Sequence, residues 1–199
     1  MKNMNRYLWI LAIFLIQSWW ILLILVHPGT VKLLQKVVFF PTRNDISVPT
    51  DRALSLSFGK ENKGGVFFTE NEISHLSDVA KVTEATIFFR SLIGVLGWGM
   101  ALVLIANSGP SRKAWSFVGR IYLLIFAIVT ISVLLFQQFF IYFHQVFFPR
   151  GNWMFPESSI LIKIFPQEFW QSYLVLIALL ILVCAIFNLL IAGLWYEVD

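Results

Sequence analysis

Four long runs of apolar residues alternate with more polar segments along the chain. The first run, Tyr7–Val26, has 20 residues. A helix of that length crosses a hydrocarbon core of about 30 Å, since each residue rises about 1.5 Å. The other three runs are Ile87–Ile105, Ile121–Phe136 and Tyr173–Leu194. The pattern predicts an all-α membrane protein, with residues 1–199 forming a single membrane domain of four transmembrane helices.

Two segments outside these runs, residues 27–86 and 139–172, are predicted to form a small extracytoplasmic cap. The first contains two short β-prone pieces, Val37–Phe40 and Gly65–Phe68, among turn-forming residues. Such pieces favour two or three short strands. The second is rich in aromatic residues and is interrupted by proline and glycine. It is therefore expected to lie in the bilayer interface rather than to cross the membrane.

A capping box predicts where a helix begins in the first cap segment. Thr69 is followed three residues later by Glu72, the spacing at which the two residues cap a helix reciprocally. An amphipathic helix is predicted over residues 70–85, with a possible continuation into the second span. Glu72, His75 and Asp78 follow the spacing that places side chains on one face of such a helix.

The distribution of basic residues predicts the orientation in the membrane. The N-terminus and the loop between the second and third spans carry five of them: Lys2, Arg6, Arg112, Lys113 and Arg120. The loop between the third and fourth spans carries only Arg150 and Lys163. Because cytoplasmic loops are enriched in Lys and Arg, both termini are expected in the cytoplasm. The cap segments would then face outward.

Composition and motifs exclude several classes of function. Hydrophobic residues make up 58% of the chain and charged residues 13%, against about 25% charged in a soluble domain. The net charge of +4 is modest and no long basic run occurs, so no nucleic-acid partner is expected. Cys184 is the single cysteine and is interpreted as a packing residue. The sequence has no motif for a metal, a nucleotide or a serine nucleophile, so no metal and no cofactor are expected.

Three histidines are candidates for proton transfer. His27 follows the first span and is interpreted as a cap residue at the interface. His75 precedes Asp78 by about one helical turn, so the carboxylate could orient the imidazole; the plainer interpretation is a solvated helix face. His144 lies among aromatic residues past the third span, where a titratable group is costly and marks a functional site. Its plainer interpretation is an interfacial histidine bonded to a backbone carbonyl.

Two strings carry a resemblance to a known family. Residues 72–79 read EISHLSDV, and residues 144–170 read HQVFFPRGNWMFPESSILIKIFPQEFW. By their order, and by their positions relative to the spans, they resemble the lipoprotein intramolecular transacylases, small four-span bacterial membrane proteins. The resemblance covers the whole chain, and the longer string is specific. One departure is Ser159-Ile160, which stand where an acidic residue usually precedes the Leu-Ile pair; Glu157 is a candidate substitute.

The resemblance implies an acyltransferase of the cell membrane whose site lies at the outer leaflet. Its partners would be membrane lipids and bacterial lipoproteins with a diacylglyceryl group on the N-terminal cysteine. The sn-2 acyl chain would move from glycerol to the α-amino group of the same cysteine, which gives a lyso-form lipoprotein. The family's two catalytic histidines correspond to His75 and His144.

Such a transfer needs no enzyme nucleophile, because the acceptor is the substrate's own amine. An imidazole suits either the base that takes a proton from the amine or the acid that protonates the glycerol oxygen. The sequence leaves open which histidine is which. Asp78 would orient His75, while Arg150, or the backbone around Gly151-Asn152, would polarise the ester carbonyl. Arg150 could equally anchor a lipid phosphate.

A pocket that excludes water would protect the acyl chain from hydrolysis. Five aromatic residues of the second cap segment are candidates for its wall: Phe147, Phe148, Trp153, Phe155 and Trp170.

Two other functions remain compatible with the sequence. One is a lipid acyl hydrolase that uses the same histidines with water. The other is a non-catalytic membrane module, a sensor or assembly factor whose outer segments bind a partner. The absence of an activated nucleophile or metal motif speaks against the hydrolase. The location of both candidate histidines outside the spans, on one side, speaks against the passive module.

Overall fold

The structure is a computed structural model that describes residues 2–39, 47–59, 67–106 and 109–194. These residues form eight helices and no strand. In chain order the helices are α1 (Lys2–Leu25), α2 (Pro28–Phe39), α3 (Ser47–Ser57), α4 (Glu70–Ile105), α5 (Arg112–Leu134), α6 (Phe136–Phe147), α7 (Ile160–Ile164) and α8 (Gln167–Leu194). Helices α1, α4, α5 and α8 are long and apolar enough to cross a membrane. The predicted all-α architecture with four spans is confirmed.

The residues separate into two compact units. The first unit comprises Met1–Leu25, Phe89–Ile131 and Val175–Asp199. The second comprises Val26–Phe88 and Ser132–Leu174. Every candidate site residue belongs to the second unit. The organisation as a single domain stays a prediction.

Close helix packing in the first unit depends on small residues. A Cβ atom at Gly94 of α4 would lie 2.5 Å from the indole of Trp19 on α1. A Cβ atom at Gly119 of α5 would lie 2.9 Å from the side chain of Leu189 on α8. Glycine at such positions lets helix backbones approach each other, which is a main source of helix association in lipid.

The core of the second unit joins α3, α7 and the beginning of α4. Its buried apolar side chains are Ala53, Leu56, Phe68, Leu76, Leu161 and Ile164. Gln35 of α2 is buried beside them and donates hydrogen bonds to Thr50 Oγ1 at 3.3 Å and to the carbonyl oxygen of Ile164 at 2.8 Å. This core positions α7 beside the first turns of α4.

The strand predicted at Val37–Phe40 is wrong, because Val37–Phe39 form the end of α2. Pro28 occupies the first position of that helix, where proline is favoured because its missing N–H needs no partner. His27 acts as the predicted cap: its Nδ1 accepts the N–H of Gly29 at 3.0 Å. The helix then continues through the β-prone residues, since tertiary context overrides a short-range strand preference.

The second predicted strand, Gly65–Phe68, falls partly on undescribed positions. Residues 65 and 66 lie outside the described residues, and so does Phe40 of the first strand. Phe67 and Phe68 form a short turn ahead of α4. The described residues of the cap therefore form helices joined by turns, without a strand.

The predicted capping box at the start of α4 is confirmed. The Thr69 N–H donates to Glu72 Oε2 at 2.7 Å, and the Glu72 N–H donates to Thr69 Oγ1 at 3.3 Å. The helix then runs without a break for 36 residues, about 54 Å at 1.5 Å per residue. Because this length exceeds the hydrocarbon thickness of about 30 Å, the polar residues 70–86 extend beyond the apolar span 87–105.

Glu72 also joins α4 to the beginning of α7. Its Oε1 accepts the hydroxyl of Ser159 at 2.5 Å and the N–H of Leu161 at 3.3 Å. Burial raises the pKa of this carboxyl, but the hydrogen bonds from Ser159, Thr69 and Leu161 outweigh burial and hold the pKa below its usual value. Ser159, which departs from the family pattern, is thus a hydrogen-bond donor to a buried carboxylate.

The third span and the helix after it are separated by one residue. Leu135 has a φ of −104° and a ψ of 38°, outside the helical region, so α5 ends before it and α6 begins after it. Helix α6 buries Phe136 and His144. It leaves the apolar side chains of Tyr142 and Val146 exposed. A helix with this exposed apolar surface is suited to a lipid environment.

Replacement of Glu72 is expected to destabilise the protein more than replacement of Thr69. Thr69→Ala removes a helix cap, which typically costs about 0.5–2 kcal/mol. Glu72→Ala removes the other half of the capping box and also leaves Ser159 and the Leu161 N–H without their acceptor. Thermal unfolding in detergent should show the lower midpoint for Glu72→Ala. The exposed neighbour Glu70→Ala serves as control, and equal midpoints for Glu72→Ala and Glu70→Ala would refute the prediction.

Candidate active site

Two buried imidazoles from distant parts of the chain face each other in the second unit. His75 lies near the beginning of α4, and His144 lies near the end of α6. Their ring centroids are 6.0 Å apart, and the ring planes are inclined by 24°. Each residue is only 9% exposed. The sequence singled out both histidines, and the fold brings them together.

A backbone carbonyl fixes the tautomer of His144. Its Nδ1 lies 2.8 Å from the carbonyl oxygen of Phe140, one turn earlier on α6. Because a carbonyl oxygen only accepts hydrogen bonds, Nδ1 must carry the proton. The neutral ring then has its lone pair on Nε2. His144 is thus oriented to accept a proton through Nε2.

His75 is held by rings rather than by hydrogen bonds. Its centroid lies 4.7 Å from that of Phe148 and 5.6 Å from that of Phe155, both in edge-to-face geometry. Its Nδ1 is buried, and no hydrogen-bond partner for it occurs among the described residues. An imidazole nitrogen in this state is available to a ligand.

Both imidazoles are held in the neutral form. Burial, assisted by the proximity of His144 and opposed by the carboxylate of Asp78, lowers the pKa of His75 to about 4. Burial also lowers the pKa of His144, while its hydrogen bond to the Phe140 carbonyl opposes that shift. At neutral pH the site therefore contains two uncharged rings, each able to take up a proton.

Three of the five predicted wall residues contact the imidazoles. Phe148 is 4% exposed and lies beside both rings, with its centroid 5.5 Å from that of His144. Trp153 lies 4.8 Å from His144, and Phe155 packs against His75. These side chains form an apolar surface around the pair, which limits access of water.

The other two predicted wall residues lie elsewhere. Phe147 is 47% exposed and packs on Phe143 with a centroid distance of 4.7 Å. Trp170 is 39% exposed and packs on other aromatic residues: Phe165, Phe169 and Tyr173. Neither ring is in contact with a histidine ring within the described ranges.

Phe140 and Phe143 contact His144 from its own helix, and the sequence analysis predicted neither contact. The Phe140 ring lies 4.0 Å from His144 and the Phe143 ring 5.5 Å, measured between centroids. Residues one turn apart share a helix face. The spacing of Phe140 and His144 could therefore have identified this contact, had residues 136–147 been interpreted as helix.

Asp78 connects α4 to the turn that follows α6. Arg150 Nη2 donates to both carboxylate oxygens at 2.5 Å. Asn152 Nδ2 donates to Oδ2 at 2.9 Å, and Lys81 Nζ donates to Oδ1 at 3.1 Å. These hydrogen bonds, foremost that from Arg150, hold the pKa of the Asp78 carboxyl well below its usual range. The expected hydrogen bond from His75 to Asp78 is absent from the described residues, so the carboxylate acts on His75 only through its charge.

Hydrogen bonds engage a polar group of each residue in the turn at residues 150–152. Gly151 has a φ of +71°, which favours glycine, and its N–H donates to the carbonyl of Phe148 at 3.2 Å. This N–H is therefore unavailable to polarise an ester carbonyl, a role that the sequence analysis had offered for the backbone around Gly151-Asn152. The side chain of Arg150 remains 61% exposed despite its ion pair, so it can still be reached by an anionic or carbonyl group.

Comparisons with known proteins agree with this fold. The sequence profile of the family described as lipoprotein intramolecular transacylase Lit matches residues 28–170. An uncharacterized protein of Aquifex aeolicus (strain VF5) is 30% identical over 118 residues, which cover 57% of this chain and 50% of that protein. The chain thus spans about half the length of this curated relative.

A solved structure has the same fold. It is the membrane integral lipoprotein intramolecular transacylase Lit from Bacillus cereus, which superposes with a TM-score of 0.71 at 15% sequence identity. The match covers 99% of this chain and 98% of that one. The family profile spans both histidines and most of the chain, and the chain belongs to the lipoprotein intramolecular transacylase family.

Proposed function

We propose that this protein transfers the sn-2 acyl chain of a diacylglyceryl-modified lipoprotein to the α-amino group of the same N-terminal cysteine. The observation that supports this most is the pair of buried imidazoles, 6.0 Å apart between centroids. An ester-to-amide transfer within one molecule needs proton transfer at two atoms and no enzyme nucleophile. Two imidazoles inside an apolar wall meet that requirement.

His144 acts as the base. Its Nδ1–H is engaged by the Phe140 carbonyl, which leaves the Nε2 lone pair for the substrate. When the amine attacks the ester carbonyl, the nitrogen becomes positively charged and must lose a proton. His144 takes that proton, and its lowered pKa keeps it available as a neutral base at neutral pH.

His75 acts as the acid for the departing glycerol oxygen. The substrate's α-amino group titrates near pH 7.7–8.0, so it arrives mostly as an ammonium ion. The ammonium gives its first proton to His75, and its second goes to His144 during attack. Because a low pKa makes an imidazolium a strong acid, His75 readily passes its proton to the glycerol oxygen. The products are an amide, an alcohol and one proton released from His144, so the reaction balances.

The remaining groups support this chemistry. Phe148, Trp153 and Phe155 keep water from the ester, which would otherwise be hydrolysed. Arg150, exposed at the edge of the cluster, donates to the ester carbonyl. Asp78 holds Arg150 and Asn152 against α4.

The orientation in the membrane follows from the charge distribution. The basic residues of the N-terminus and of the loop between the second and third spans favour a cytoplasmic location for both termini. The site then lies at the outer leaflet of the cell membrane, where the glycerol esters of a lipidated protein are found.

Replacement of either histidine is expected to abolish lyso-form product. General acid–base groups typically contribute about 10²–10⁴-fold to a rate, so His75→Ala and His144→Ala should each reduce transfer by at least about 100-fold. The measurement is tandem mass spectrometry of the N-terminal peptide of a lipoprotein, after expression in a host that lacks this activity. Fragmentation is needed because transfer within one molecule leaves the peptide mass unchanged and only moves the acyl chain from glycerol to nitrogen. The peptide mass also separates acyl transfer from hydrolysis, which loses the chain.

His27→Ala is the matched control, since His27 caps α2 and lies outside the cluster. It should retain transfer. Full conversion by His75→Ala or by His144→Ala would exclude that histidine from the mechanism.

The pH profile separates a two-histidine mechanism from one in which a single histidine shuttles the proton. In the proposed mechanism the reacting species are the ammonium and two neutral imidazoles. Activity should therefore be level through pH 6.5–7.5, and should fall above about pH 8 as the ammonium is lost. It should fall on the acid side only below pH 6.5, because both histidine pKa values are lowered. A steady rise of about tenfold per pH unit up to about pH 8 would indicate a single shuttling histidine instead.

A further inference from the structure

The carboxamide oxygen of Asn152, in the turn after α6, is a buried acceptor without a hydrogen-bond donor among the described residues. Asn152 is only 9% exposed, and its Nδ2 donates to Asp78 Oδ2 at 2.9 Å and to Ser74 Oγ at 3.1 Å. Both amide hydrogens are thereby used. Its Oδ1 is buried and has no donor among the described residues. Asn152 is therefore a fixed acceptor that lacks a donor.

The orientation of this carboxamide is determined by its neighbours. An amide can be turned so that its nitrogen and oxygen exchange places. Here the exchange would put the oxygen of Asn152 beside the carboxylate of Asp78, which can only accept. That arrangement would set two acceptors against each other. The nitrogen must therefore face Asp78, and the oxygen must face away from it.

A buried acceptor without a donor is costly. Leaving such a group unsatisfied incurs the full desolvation penalty of that group, so a ligand that brings a donor regains that free energy. The ester carbonyl of the substrate is itself an acceptor and cannot serve. The α-ammonium group carries three N–H donors. It is the part of the proposed substrate that matches the Asn152 oxygen.

The two acceptors of the Asn152 amide hydrogens lie on either side of His75 along α4. Ser74, which accepts one amide hydrogen of Asn152, is the residue before His75. Asp78, which accepts the other, lies one turn beyond His75 on the same helix. The Nδ1 atom of His75 also has no partner among the described residues. Asn152 Oδ1 and His75 Nδ1 are thus two buried atoms without a hydrogen-bond partner among the described residues, and the Asn152 amide is bonded to the helix that carries His75.

We infer that the carboxamide oxygen of Asn152 binds the α-ammonium group of the substrate's N-terminal cysteine and holds it beside His75. This inference rests on the proposed function, because it assigns the amine end of that substrate. The charge of Asp78 is largely neutralised by Arg150 and Lys81. The amide dipole, polarised by its two hydrogen bonds, therefore makes the contact.

Binding of inert analogues tests this assignment without turnover. The probes are two lipopeptides whose sn-2 ester is replaced by an ether, one with the cysteine α-amino group and one without it. Wild-type protein should bind the amine analogue more tightly. Because hydrogen bonds to charged groups are worth about 10- to 100-fold in affinity, Asn152→Ala should reduce the ratio of the two affinities by about tenfold or more.

Asn71→Ala is the matched control, since Asn71 is an exposed asparagine in the first turn of α4. It should keep the wild-type ratio. If Asn152 had a purely structural role, Asn152→Ala would weaken the binding of both analogues equally. The ratio of the two affinities would then stay unchanged, and the inference would be overturned. If Asn152→Ala does not fold, Asn152→Leu keeps the volume and permits the same comparison. Equal binding of both analogues by wild-type protein would also overturn it.

The proposed function is tested separately by conversion of the corresponding ester lipopeptide. If wild-type protein converts the ester, but Asn152→Ala leaves the ratio of the two affinities unchanged, this inference alone is contradicted. Wild-type protein that shows the preference but produces no amide would contradict the proposed function alone.

Discussion

Two carboxylates, one turn before and one turn after His75, hold the surrounding chain in place. Glu72 binds the start of α7 at residues 159–161, and Asp78 binds the turn at residues 150–152. The segment between these two attachments carries two of the aromatic residues that contact the imidazoles. It is therefore fastened at both ends to the helix that carries His75. The carboxylates are matched by several donors each, as buried or partly buried charges require.

The same fastening explains the acid–base properties of the pair. Aromatic rings replace water around His75 and His144, which disfavours the charged form of each. The carbonyl of Phe140 then selects which nitrogen of His144 is free. Burial thus gives neutral acceptors for protons, and the turn at residues 150–152 offers a further acceptor, Asn152 Oδ1, which we assign to the amine of the proposed substrate. The proposed transfer would need no nucleophile from the protein, because the proposed substrate carries its own.

Much of this arrangement could be predicted from the sequence, because an apolar run long enough to span the membrane and a capping box each indicate a helix reliably. Four apolar runs gave the spans, and a capping box located the start of α4 to the residue. The strand at Val37–Phe40 failed because local β preference is weak against a helix already started at Pro28. The contact of Phe140 with His144 was missed because residues from 139 onward were predicted only to lie in the bilayer interface, with no helix assigned to them. Pairings between residues far apart, such as Glu72 with Ser159, leave no periodic signal in a single sequence.

The proposed chemistry requires that His75 and His144 are both neutral at physiological pH and that His144 carries its proton on Nδ1. NMR of the protein with ¹⁵N-labelled histidine, in a lipid nanodisc, measures the protonation state and tautomer of each ring across a pH titration. With His27→Ala to remove the third signal, both remaining rings should stay neutral down to below pH 6.5, His75 should titrate near pH 4, and His144 should show the Nδ1–H tautomer. Titration of either ring at or above its ordinary pKa, or an Nε2–H tautomer of His144, would contradict the account.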